Sequence, residues 1–396
     1  MDSQLYQVEQ KLIIVTVISD LVTDARVHKV CQTLKDEGYR VHLIGTCNNR
    51  SKPLIPREYQ TDRIKIWFRK SALFYAEFTI RLFFRLSRTR ADIYLGNDLD
   101  TMPATMLIAR WKKKPLVYDS HEYFLGMAGM DEKPFRRSIW KFIESWALAR
   151  LNYMYTVSDS IHNLYRKTYH KKLFVVRNLP LKNPPYTDPS PDEDAWIGSL
   201  DRQIPINKHL LIFQGAGINE SRGAEELVLS MAYLDHREFH LMIIGGGDVI
   251  EKLKKIIDEN QLNEKITLIP KVPFAILNHF TKKAELGLSI DKPSVINHKY
   301  SLPNKLFEYL HAGVPVLASR LIEQEKIINQ YEVGDFIDDH QPEHIARKIK
   351  EIFADPAKIK RWKQNTVRVR DEMNWENESK IIISIFKQVE KESVNN

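Results

Sequence analysis

Residues 11–46 read KLIIVTVISDLVTDARVHKVCQTLKDEGYRVHLIGT, and their pattern decides the fold. KLIIVTVIS (11–19) is a short, β-branched apolar run of the kind that a doubly covered strand requires. In DARVHKVCQTLKDEG, Val27, Val30, Cys31 and Leu34 recur at helical spacing, and Gly38 stands where helices end in a left-handed residue. YRVHLIGT then resumes as a strand. A strand, a crossover helix and a strand within about 35 residues form a βαβ unit, so the two strands run parallel.

The same alternation extends outward. ADIYLGN, PLVYDSH, LNYMYTVS and KLFVVRN read as further strands of a domain spanning residues 1–180. Residues 181–207 hold five prolines without a helical or strand period and read as a linker. The pattern restarts over 208–372 with HLLIFQGAG, HLMIIGGGD, KITLIPK, LGLSID and VPVLAS, separated by helical segments. A helical tail runs from 342 to 394, its last helix (373–396) packing back on the first domain. The expected class is α/β, with two doubly wound Rossmann-like domains facing a central cleft.

Composition agrees with two cores. A chain of 396 residues exceeds one comfortable core, and 43% hydrophobic with 28% charged residues describes a globular protein. Cys31 and Cys47 lack metal-ligand spacing and fit a reducing compartment. The first residues lack the basic start of a signal peptide, and no apolar run reaches membrane-spanning length. A formal charge of +8 points to an acidic partner: nucleic acid, anionic lipid or phosphorylated small molecules.

In open α/β sheets ligands bind beyond the carboxyl ends of the strands, which directs attention to the residues there. FQGAGINESRGAEEL places Gly215, Gly217 and Arg222 between a strand and a helix start, where backbone amides and a guanidinium suit a diphosphate; a solvated loop arginine is the alternative. Gly245, Gly246 and Gly247 lack the spaced pattern of dinucleotide enzymes and are either a plain tight turn or backbone offered to a ligand. In SLPNKLFEYLHAGVPVLAS (301–319), Ser301 is the expected N-cap and Pro303 opens a helix. Lys305 sits near its positive end, a placement that favours a bound anion over a surface pair with Glu308. His121 follows a strand between Asp119 and Glu122 and is either a substrate-facing histidine or an exposed one. Asn97, Asp98 and Asp100 follow another strand, where a capping role is equally open. Residues 63–90 interleave eight basic side chains with seven aromatics, as helices lying on anionic membranes do; packing into the core is the alternative, and nucleic acid fits less well.

With YSLPNKLFEYLHAGVPVLAS, NDLDTMPA, LVYDSHEYF, TVSDSI, VVRNLP and FQGAGINESRGAEEL in order, the chain resembles the retaining family 4 glycosyltransferases of the GT-B fold along nearly its whole length. The resemblance implies transfer of a sugar from a UDP- or GDP-type donor to an acceptor hydroxyl, with retention and without a metal or other cofactor. It implies that Glu308 binds the ribose and that Arg222 grips the diphosphate. His121 meets the transferred sugar, and Lys305 with the backbone of Pro303, Asn304 and Leu306 faces the phosphates. Gly215, Gly217, Gly245 and Gly246 complete the donor side. His121, Arg222 and Lys305 are the expected catalytic groups.

Three departures from the family pattern stand out. Tyr300 occupies the place of a second Glu, a glycine region around Gly217 replaces an arginine, and SDLVTDARVHK replaces a glycine-rich loop. The last leaves Asp24 and Arg26, with Asn97 and Asp98, as acceptor-side candidates. The expected acceptor is lipid-linked or a saccharide, in cell-surface polysaccharide or glycolipid assembly, by a cytoplasmic enzyme peripheral to the inner face of the membrane. A nucleotide-sugar epimerase of the same fold and a silent membrane-bound scaffold are the alternative readings; the missing spaced glycines disfavour an NAD-dependent oxidoreductase.

Overall fold

The computed structural model describes residues 10–394 other than 23, 69–70, 128, 131, 172, 185–188, 295 and 301. Two compact units form, one from the residues up to Arg177 together with those from Glu378 onward, the other from Asn178–Asn377.

The first unit is built on β1 (Leu12–Asp20), α1 (Ala25–Asp36), β2 (Arg40–Cys47), β3 (Gln60–Lys65), α2 (Ser71–Ser87), β4 (Ile93–Asn97), α3 (Met102–Trp111), β5 (Leu116–Ser120), α4 (Pro134–Leu148), β6 (Tyr153–Thr156), α5 (Asp159–Tyr169) and β7 (Phe174–Val175). Its strands are all parallel, in the order β3-β2-β1-β4-β5-β6-β7. Ile13, Ile14, Val15 and Val17 of β1 are buried, as the apolar run requires. Asp24 caps α1 by accepting from the Val27 amide, and Gly38 just beyond the helix has φ +96°.

The second unit opens with α6 (Pro191–Asp201) and continues through β8 (His209–Gly215), α7 (Ala224–Ser230), β9 (Phe239–Gly245), α8 (Ile250–Glu259), β10 (Ile266–Ile269), α9 (Phe274–Lys283), β11 (Leu286–Ser289), α10 (Ile296–Tyr300), α11 (Asn304–His311), β12 (Val316–Ser319), α12 (Ile322–Tyr331), β13 (Gly334–Ile337), α13 (Pro342–Phe353) and α14 (Pro356–Glu372). Its sheet repeats the order of the first, β10-β9-β8-β11-β12-β13, again all parallel. The last helix, α15 (Trp375–Val394), belongs to the first unit from Glu378 on, where Lys387 pairs with Glu37 and Lys11 with Glu390.

The structure corrects the linker reading over 191–201. Ser190 and Glu193 form a reciprocal capping box with Pro191 in the first turn, and Ile197 and Leu200 are buried in the core of the second unit. The proline count hid this helix because Pro191 starts it rather than breaking it. Two strands also went unread, β3 (QTDRIK) and β13 (GDFI). Both are sheet edges with partly exposed side chains, so neither needs an apolar run. Of residues 63–90, the first three finish β3 and only 71–87 are helical.

The packed state of α6 has a direct check. Ile197→Ala should cost about 2–5 kcal/mol in denaturant unfolding, as a large-to-small core change does. Trp196→Ala, at a position 37% exposed, should cost clearly less. Equal, negligible effects would return the segment to the linker.

Candidate functional site

In each sheet the direction of winding reverses between the first and fourth strands, and ligand crevices open beyond the strand ends at such a switch point. In the second unit this point lies between β8 and β11. There Asp291, two residues past β11, is 1% exposed and bridges two cations. Its Oδ1 lies 3.1 Å from Lys305 Nζ and its Oδ2 3.3 Å from an Arg222 guanidinium nitrogen. Lys305, on the first turn of α11, is 8% exposed and holds its ammonium 4.4 Å from the centre of the Phe213 ring. Burial alone would raise the pKa of Asp291, but Lys305 and Arg222 outweigh it and keep the carboxylate ionised. Burial pulls Lys305 below an ordinary lysine, against the opposing pull of Asp291.

The position of Lys305 is thus explained in part within the chain: Asp291 supplies its counter-charge. Two cations against one carboxylate, beside a helix start, still leave the site electropositive. Asp291 escaped the sequence reading, although a carboxylate directly after the apolar strand LGLSI was its visible signal. Ser301, the expected N-cap of α11, lies outside the described residues; Pro303 takes the N-cap position and no side chain caps it.

Further along α11, Glu308 accepts from Gln214 Nε2 at 2.6 Å, and Gln214 Oε1 accepts from Thr281 at 2.8 Å. The Gln214 amide donates to the Tyr309 hydroxyl at 3.0 Å. Strand end and helix are therefore locked together, and Glu308 has a defined orientation. Glu308 and Gln214 line a cavity of about 270 Å³ with Phe274, Asn278, Thr281 and His311. Asn304 accepts from Asn178 at 3.1 Å, the Leu306 amide donates to the Pro303 carbonyl, and the Leu306 side chain is core.

The glycine loops have a packing reason of their own. Gly215 and Gly245 are register partners, Gly245 has φ +144°, and a Cβ there would lie 1.9 Å from the Gly215 oxygen. The Gly246 amide donates to that same oxygen, so the two loops close on each other. A Cβ on Gly217 would meet only Asn219, at ordinary contact distance. Gly223, next to Arg222, has φ +76° and leaves no room for a Cβ beside the Ile290 oxygen. That turn brings Arg222 back toward Asp291.

In the first unit the strand ends gather Arg26, Asn97, Asp98, Asp119 and His121. Asp98 Oδ2 lies 3.2 Å from His121 Nδ1, and Asp119 Oδ2 and Asn97 Oδ1 lie 3.2 and 3.1 Å from Nε2. Arg26 grips both oxygens of Asp119, at 2.8 and 3.1 Å, and spends its remaining nitrogen on the Val176 carbonyl. Arg26 is 5% exposed, and in this structure its guanidinium holds Asp119. Asp24 likewise has a structural duty, capping α1 and accepting from Ser19. Burial would lower the pKa of His121, but Asp98 and Asp119 outweigh it and raise it to about 9. Asp119 is also buried, yet Arg26 and His121 bring it down to about 2. Asp100, next along the loop, is buried and held well above the carboxylate range by that burial. His121 is therefore a fixed cation with both ring N–H groups already donated, poorly suited to act as a general base.

Two family models match the chain, Glycosyltransferase Family 4 over residues 24–179 and Glycosyl transferases group 1 over residues 200–369. No curated protein matches it in sequence. Among solved structures it is similar to sucrose-phosphate synthase from Thermosynechococcus elongatus, at 15% identity over 96% of this chain and 99% of that one, with a TM-score of 0.77. HepE from Anabaena in complex with UDP and glucose gives 12% identity, 96% and 100% coverage and a TM-score of 0.71. A glycosyltransferase from Rickettsia africae gives 14%, 97% and 99%, and 0.69. At these identities the structures speak for the fold, that of two Rossmann-like domains.

The charge on His121 is measurable. Its protonation stabilises the folded chain fully below pH 6.5 and is lost as pH rises through about 9. In an NMR titration, Asp98→Asn should lower the His121 pKa by about one to two units. An unshifted value would remove Asp98 as a source of the charge.

Proposed function

The chain belongs to the family 4 glycosyltransferases, and from that premise we propose that it moves a glycosyl group from a nucleotide-diphosphate sugar to an acceptor hydroxyl with retention of configuration. The observation that carries this reading is the Arg222–Asp291–Lys305 cluster at the strand ends and helix start of the second unit. The bond between the anomeric carbon and the diphosphate oxygen breaks, and its electron pair stays on that oxygen. Arg222, Lys305 and the first-turn amides of α11 stabilise the developing charge, without a metal being called upon. The acceptor oxygen attacks the face that the diphosphate leaves, and its proton passes to the departing phosphate oxygen.

Glu308, oriented by Gln214, would accept from the ribose hydroxyls, with the adjoining cavity on the nucleoside side. A UDP or GDP sugar is the donor class; the UDP and UDP-glucose bound to HepE favour the former. His121 would act by charge and position rather than by taking a proton, and Asn97 and Asp98 would stand on the acceptor side. The acceptor would be lipid-linked or a saccharide.

Calorimetric titration with UDP and GDP, followed by a donor-turnover assay, tests this. One diphosphate should bind saturably, and Glu308→Ala should abolish or greatly weaken that binding. Arg222→Ala and Lys305→Met should lower turnover by about 10²–10³ with the fold intact by circular dichroism. Binding of neither diphosphate would sink the proposal, and donor consumed without acceptor, with sugar inverted at a ring carbon, would replace it with an epimerase.

A further inference from the structure

We propose that the outer face of the α2–α3–α4 layer of the first unit is a docking surface for an anionic lipid bilayer. Right-handed crossovers put α2, α3 and α4 on one face of the sheet, since each leads onward in the same direction from β3 to β6. The helices are neighbours: the Tyr75 ring of α2 meets the Trp140 ring of α4 at 5.1 Å, and Arg136 of α4 lies over Tyr75. Their inner faces pack as expected, with Phe78, Leu82, Ile108, Trp140 and Ala147 buried.

Their outer faces are unusual. A surface helix normally turns polar residues to water. Instead α4 presents Phe135, Ile139 and Phe142 at helical spacing, 79, 45 and 70% exposed. Leu107 and Trp111 of α3 add 49 and 66%, and Ile80 and Phe84 of α2 add 56 and 51%. Bulky apolar groups gathered on one layer mark an interaction surface.

Charge selects the occupant. Arg81, Arg85, Arg88, Arg110, Lys133 and Lys141 stand on these helices or at their ends. Of the two carboxylates of the helices, Glu77 accepts from the Trp67 and Phe68 amides and pairs with Arg81, and Glu144 is fully buried against Tyr165 and Tyr169. An open groove on this unit is lined by Ile64, Phe84, Arg81, Arg85 and Arg88; Arg81 pairs with Glu77 and Arg85 with Asp62, and Arg88, over the Phe84 ring, is placed to meet a phosphate-bearing headgroup. A second copy would bring like charges together. Nucleic acid has little use for protruding Ile80, Leu107 and Ile139. An acidic headgroup layer over an acyl boundary satisfies both the basic rim and the apolar ridge. No helix among the described residues is long and apolar enough to cross a membrane, so contact here would be at the surface.

The surface is tested apart from transfer chemistry, by flotation of the full chain with vesicles of phosphatidylcholine alone or mixed with phosphatidylglycerol. Flotation with the mixed vesicles should exceed that with neutral ones and weaken as salt rises. Phe135→Ser/Phe142→Ser should lower it by about tenfold or more, and Arg88→Glu/Lys141→Glu should also lower it, with nucleoside diphosphate binding unchanged in both. No flotation, or flotation indifferent to all four substitutions, would overturn the proposal. So would dimerisation, or binding of single-stranded nucleic acid, that the same substitutions abolish in place of flotation.

Discussion

Parallel pairing of the strands is the constraint on which the rest of this structure depends. A parallel strand must be reached by a crossover, so every strand in a sheet ends on the same edge. Among the described residues thirteen strands in two sheets obey this rule, and both sheets follow the same winding order. Asn97 ends one strand and His121 follows its neighbour in one sheet; Gly215 and Gly245 end neighbouring strands of the other, and Asp291 lies just past a third. Residues far apart in the chain meet because the backbone polarity leaves them no other edge.

At those edges the chain buries charge. Arg26 with Asp119 and Lys305 with Asp291 are ion pairs almost removed from water. Such pairs contribute little net stability, because desolvation offsets their attraction, but breaking one strands a buried charge. Their effect here is positional. Arg26 holds Asp119, which helps to hold His121; Asp291 holds the aliphatically flexible Lys305 and Arg222 at one point. Both arrangements leave a fixed positive group, an imidazolium in one unit and a pair of cations around one carboxylate in the other, where no reorientation is needed to meet an anion.

The helices outside the first sheet answer to a different requirement. Their inner sides satisfy the core, while their outer sides keep Phe135, Phe142 and Trp111 in contact with solvent. Of the two carboxylates on these helices, Glu77 pairs with Arg81 and Glu144 is buried against Tyr165 and Tyr169. The fold alone demands neither property.

By itself the sequence determined the α/β class, the two wound sheets, the loops after strands that carry Arg222 and His121 and the helix that carries Lys305 and Glu308, because buried parallel strands are written as apolar runs and glycine or proline marks where they stop. It did not disclose α6, whose helix start resembles a linker, or β3 and β13, whose edge positions need no apolar pattern. Nor could it show that Asp291 stands between Lys305 and Arg222, or that Arg26 reaches Asp119 across 93 residues of chain. Those pairings depend on which strand lies beside which, and that adjacency exists only once the sheets have closed.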